Sequence, residues 1–90
     1  MATTFVQHRV ADYDAWRRVY DSVAGLQREG GVVEEAVYRA ADDPDNVLVM
    51  HRFGSADEAR AFFDNPDLRQ AMADAGVDTG SFRFELYEEA

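Results

Sequence analysis

Ninety residues suffice for one domain, here taken as 1–90, with a core modest enough that burying surface against a second copy would add materially to stability. Eighteen acidic residues against nine basic give a formal charge of −9 and a pI near 4.4, which argues against nucleic acid and anionic membrane as partners, since both call for a basic surface. The absence of cysteine removes disulfides, thiolate nucleophiles and cysteine metal sites, and the absence of lysine removes Schiff-base chemistry. His8 and His51 are then the only side chains whose ordinary pKa lies near neutrality.

Thr3 to Val10 (TTFVQHRV) alternates and is rich in β-branched and aromatic residues, which predicts a first strand with Val6, His8 and Val10 on one face and Phe5, Gln7 and Arg9 on the other. Asp12 offers an N-cap. Tyr13, Trp16, Val19, Tyr20, Val23 and Leu26 then recur at helical spacing until Gly30-Gly31, predicting one helix of about five turns. Val32 to Ala41 reads as a second strand, and the Asp42-Asp43-Pro44-Asp45-Asn46 cluster as the turn of a hairpin. The acids of that turn lack the glycine and bidentate glutamate of a calcium loop and read as a solvated turn.

Val47 to Phe53 (VLVMHRF) is a short apolar run closed by Gly54, the signature of a central strand. Alternation places Val47, Val49, His51 and Phe53 together, so the second histidine also sits among apolar neighbours. Ser55-Ala56-Asp57-Glu58 is a capping box for a helix carrying Ala59, Phe62 and Phe63; Asn65-Pro66 breaks that helix and, as N-cap and N1, restarts it with Leu68, Ala71, Met72 and Ala75 inward. Beyond Gly76 and a loop with Gly80, Ser81 to Glu88 alternates as a last strand, Phe82, Phe84 and Leu86 inward. No apolar run approaches the roughly 20 residues of a membrane span and no signal-peptide pattern opens the chain, so a cytoplasmic location is expected.

The order strand, helix, strand, strand, broken helix, strand predicts an α+β, ferredoxin-like βαββαβ fold with a four-stranded antiparallel sheet and helices on one face. Its other face would carry Phe5, Leu48, Met50 and Tyr87, apolar surface that a partner sheet would bury, so a homodimer is expected. Arg9, Arg52 or Arg83 are expected to pair with Glu35 or Glu85 there. The first and third strands are neighbours in this topology, so His8 and His51 are expected close enough to couple, with burial and mutual repulsion both lowering their pKa values.

The DYDAW that opens the first helix, and HRFGSADEARAFFDNPDLRQAM with its Asn-Pro break, resemble the dimeric α+β barrel superfamily and, within it, the small antibiotic biosynthesis monooxygenases. The resemblance spans nearly the whole chain. It implies a ligand site between sheet and helices, in relatives that include cofactor-free oxygenases of aromatic polyketides, haem-degrading oxygenases, polyketide cyclases and muconolactone isomerases. Haem breakdown fits poorly: where those relatives carry asparagine, tryptophan and an iron-binding histidine, this chain has His8, Phe62 and Met72. The cofactor-free oxygenases surround a phenolic substrate with Trp, Tyr, Asn and Arg, for which Tyr13, Trp16, Tyr20 and Tyr38 are candidates by type, with Phe53, Phe62 and Met72 as apolar lining.

Three functional readings follow. The first is an enzyme needing no cofactor, either monooxygenase or cyclase/isomerase, that uses His51 and His8 to move protons on an aromatic or polyketide-like small molecule. In the second, a binding or accessory protein of the same fold, the histidines only complete hydrogen bonds. The third, a metal site from His8, His51 and Glu35 or Glu85, lacks any local ligand spacing, and no metal is expected.

Overall fold

The computed structural model describes residues 1–90, as four strands and four helices in the order β1 (Ala2–Val10), α1 (Tyr13–Ser22), α2 (Ala24–Glu29), β2 (Val32–Ala40), β3 (Asp43–Phe53), α3 (Ala56–Phe63), α4 (Pro66–Asp74) and β4 (Val77–Glu88). The sheet runs β2-β3-β1-β4 with every neighbouring pair antiparallel, the ferredoxin-like arrangement that the element order predicts. Alternation sorts the two faces as expected. Val6, His8 and Val10 of β1 and Val47, Val49, His51 and Phe53 of β3 are all buried.

The helix starts follow their capping residues. Asp12 accepts from the backbone N–H groups of Asp14 and Ala15, Ser55 from Glu58 and Asn65 from Asp67, each meeting donors that the first helical turn leaves unpaired. Pro66 at the start of α4 makes the break after α3 a restart, as its fixed φ and missing N–H require.

Three boundaries differ from the sequence reading. The single five-turn helix is two, α1 and α2, parted at Val23: the Ser22 hydroxyl donates to the Val19 carbonyl at 2.6 Å and the Val23 N–H reaches back to Tyr20 at 3.3 Å. Such side-chain competition bends or ends helices, and here it turns α2 to bury Gln27. The hairpin turn is Ala41-Asp42, because Asp43 already pairs with Ala40, and Pro44 lies inside β3 where the register with β2 shifts and no ladder N–H is needed. β4 starts at Val77, four residues earlier than predicted, by way of a second register shift against β1 between Gln7 and Arg9.

Gly31, at φ +94°, makes the bend from α2 into β2, and a β-carbon there would also collide with the Glu58 carboxylate. Gly31→Ala is expected to cost about 1–2 kcal/mol, a drop in Tm of roughly 5–10 °C for a domain of this size, measurable by thermal denaturation.

The core comprises a cluster of Val10, Trp16, Val47, Val49 and Ala75 and a second of Phe53, Ala59, Phe62 and Leu68, both between sheet and helices. On the opposite face Phe5, Leu48 and Met50 are half-buried, while Tyr38 and Tyr87 are about half exposed. Within the single chain Arg9 pairs with Asp43 and Arg52 with Glu34 and Glu89, while Glu35 and Glu85 accept from the hydroxyls of Tyr20 and Tyr87. No helix is long and apolar enough to cross a membrane.

Candidate functional site

A mostly apolar cavity of about 60 Å³ lies between sheet and helices and touches both imidazoles. Val6 and Val49 form its floor, Trp16, Tyr20 and Val23 one wall, and Leu68, Ala71 and Met72 the other. It has room for a few waters but not for a fused-ring substrate.

The two histidines share this cavity without meeting. In the β1–β3 register His8 stands opposite Val47 and His51 opposite Thr4, so the two positions are offset by four residues, about 13 Å along the strands, with the Val6–Val49 pair between them. The expected coupling is therefore absent. Adjacency of strands was deducible from the topology, but the antiparallel register decides which residues stand side by side. Burial alone holds His8 neutral, lowering its pKa to about 4. Burial also lowers His51 to about 4, against an opposing pull from Glu35. The same offset removes the three-ligand metal arrangement: Glu85 pairs with Phe5 on the other face of the sheet, and no three His, Asp or Glu side chains cluster as metal ligands would.

His51 is the organised group. Its ring is caged by Phe53, Phe62 and Phe63 at centroid distances of 5.8 to 6.3 Å, and its Nε2 lies 3.0 Å from the Tyr20 hydroxyl. The same hydroxyl donates to Glu35 Oε2 at 2.8 Å. A tyrosine has one proton to give and a carboxylate only accepts, so the Tyr20 proton lies toward Glu35 and the His51 Nε2 must carry the other proton. The neutral ring thereby presents its lone pair at Nδ1, which is buried and has no partner. Burial first, and the Glu35 bond second, push the Tyr20 hydroxyl well above its ordinary pKa, so it stays protonated. His8, 4% exposed between Trp16 and Phe82, has no partner for either ring nitrogen.

Of the other residues singled out from sequence, Trp16, Tyr20 and Met72 line the cavity. Phe53 and Phe62 stand behind His51 in the core instead of on the cavity surface, and so pack the imidazole without lining the space. Tyr13 lies outside, stacked on Trp16 with the Arg39 guanidinium 3.9 Å over its ring. Tyr38 lies opposite Leu48, on the far face of the sheet, and cannot reach the cavity from there. Sequence reading missed two groups. Glu35 reads in sequence as a metal ligand or an arginine partner, although its register partner is His51, and Gln27, a buried amide on the cavity wall, shows in sequence only as a polar residue on an otherwise apolar helical stripe.

This fold is shared, at low sequence identity, with many solved structures. SnoaB, a cofactor-independent oxygenase from Streptomyces nogalater, superposes with a TM-score of 0.81 at 14% identity, over 99% of this chain and 92% of that one. A structure described as a candidate antibiotic biosynthesis monooxygenase from Deinococcus radiodurans gives 0.77 at 16% identity, over 100% and 93%. One so described from Bordetella bronchiseptica gives 0.79 at 9%, over 99% and 96%. No protein-family profile matches the sequence, and no curated protein matches it significantly. The chain thus has the ferredoxin-like α+β fold of the antibiotic biosynthesis monooxygenase structures.

Proposed function

We propose that the protein is a small, cofactor-independent enzyme that moves a proton on an aromatic or polyketide-like substrate, with His51 as the base. One observation carries this reading: a buried, neutral His51 whose Nδ1 lone pair is unpartnered while its Nε2 proton is held by Tyr20 and, through it, Glu35. When Nδ1 takes a proton from a phenol or an enolisable carbon, the imidazolium that forms already faces the Tyr20 oxygen and the carboxylate behind it, so the stabilising dipole needs no reorganisation. The electron-rich substrate anion then either meets dioxygen, as a monooxygenase requires, or is reprotonated at another carbon, as in cyclisation or isomerisation. A cofactor-independent oxygenase on the same scaffold supports such chemistry in a fold of this kind.

Both routes begin with proton removal and require the cavity of about 60 Å³ to widen around the substrate, so the test is solvent deuterium exchange into 2-tetralone, an enolisable aryl ketone, followed by NMR. Saturable acceleration over buffer is the expected result. The accessory reading draws on the small cavity and predicts binding of such molecules without faster exchange; that outcome, across a series of ketones and naphthols, would remove the catalytic assignment.

We also propose a homodimer through the outer sheet face, where Phe5, Leu48, Met50, Tyr38 and Tyr87 leave apolar surface that a chain of this size gains by burying. Sedimentation at micromolar concentration is expected to show a dimer. Leu48→Glu with Met50→Glu, adjacent on that face, is expected to give a folded monomer, whereas a monomeric wild type would refute the proposal.

A further inference from the structure

A groove of about 620 Å³, within the range of small-molecule sites, runs between the α3–α4 corner and β4. Its apolar surface comes from Phe63, Met72, Phe82 and Phe84, with Phe63 and Phe84 edge to face at 4.9 Å. Phe63 and Met72 also line the histidine cavity, so these two side chains alone form the shared wall of groove and cavity. Arg60 and Arg69 stand at the groove, whose lining holds one carboxylate, Asp64, while Asp57 meets Arg60 from outside the lining. Their present partners hold them weakly: Arg60 meets Asp57 at 3.3 Å and Arg69 meets Asp64 at 3.4 Å, with all four side chains well exposed. Guanidinium donors beside an aromatic floor suit a flat ligand with an anionic edge.

We propose that this groove is the outer half of the substrate site, that Arg60 and Arg69 select aromatic carboxylates or phenolates, and that Phe63 and Met72 are the movable partition through which the ligand reaches His51. The proposal rests on the proton-transfer reading for what happens beyond the partition, but not for the binding itself. An unbranched Met side chain with three rotatable bonds can vacate the shared wall at small cost, which joins the roughly 60 Å³ cavity to the groove and gives a fused ring access to Nδ1.

The test is calorimetric titration of the whole protein with 2-naphthoate and with 2-naphthamide, its neutral isostere. Naphthoate is expected to bind at least tenfold more tightly. The double variant Arg60→Gln, Arg69→Gln, two exposed positions that leave the core untouched, is expected to lose that preference while amide affinity holds within twofold. Ala73→Trp, on the exposed face of α4 at the groove, is expected to weaken both ligands by at least tenfold. Equal binding of the two ligands, a preference that survives in the double variant, or unchanged affinity in Ala73→Trp would each overturn the proposal. His51→Asn separates it from the catalytic reading: naphthoate affinity should persist within twofold whether or not that variant still exchanges deuterium.

Discussion

Replacing His51 with asparagine is expected to slow deuterium exchange into an enolisable aryl ketone by roughly 10² or more, because the amide keeps a polar group near the ring but cannot accept the proton. Two neighbouring substitutions distinguish a working base from a structural imidazole. Tyr20→Phe removes the acceptor of the Nε2 proton while keeping the ring that packs beside His51. It should cost about tenfold in rate by withdrawing stabilisation from the imidazolium. Glu35→Gln keeps an acceptor for the Tyr20 hydroxyl but deletes the charge that now opposes the burial of His51. The His51 pKa should then fall further below about 4, and the acidic limb of the pH–rate profile should move to lower pH with it. A structural histidine makes the opposite forecast: His51→Asn lowers the melting temperature, leaves exchange intact, and neither Tyr20→Phe nor Glu35→Gln moves any limb of the profile.

Acid should destabilise this fold well before its carboxylates are protonated. Each histidine binds its proton near pH 6.5 in the unfolded chain but only near 4 in the folded one, so between these values the unfolded state holds more protons. The sign follows: the contribution is fully present above about pH 6.5 and is lost as pH falls toward 4, at up to about 1.4 kcal/mol per pH unit for each histidine. Across the window that amounts to about 3 kcal/mol each, a large fraction of the roughly 5–15 kcal/mol that holds a domain together. Urea denaturation at neutral pH and near pH 5 is expected to show a clear fall in midpoint. His8→Phe should flatten this dependence by about half, since it removes one of the two groups, and should raise stability at neutral pH because neither nitrogen of His8 has a partner to lose. A wild-type midpoint that stays level from neutral pH to pH 5 would show that neither imidazole is held neutral by burial in the folded protein.

Much of this architecture was legible in the chain itself, and for local reasons. Alternation at period two assigned His8 and His51 to the buried face because side-chain direction in a strand is set residue by residue. Asp12, Ser55 and the Asn65-Pro66 pair marked helix starts because a cap acts within three residues of its own position. The order of the elements then left few topologies, and the ferredoxin-like sheet is the one observed. Even the missed break at Val23 is local in origin, since it turns on a hydroxyl donating to the carbonyl three residues earlier.

The site itself is another matter. That the two imidazoles stand four residues apart along the strands follows from the β1–β3 register, which no residue of either strand encodes alone. That Glu35 serves Tyr20 and His51, while Tyr38 three residues later faces the other way, follows from the pairing of β2 with β3 and from where α1 lays Tyr20 across them. The groove with Arg60 and Arg69 exists only because the α3–α4 corner packs beside an early-starting β4. Amino-acid identity determined which residues are buried and where elements begin, since those are consequences of short-range geometry. Register and packing, settled only by the folded chain as a whole, decided which of the buried groups touch, and so which histidine meets Tyr20 and, through it, Glu35.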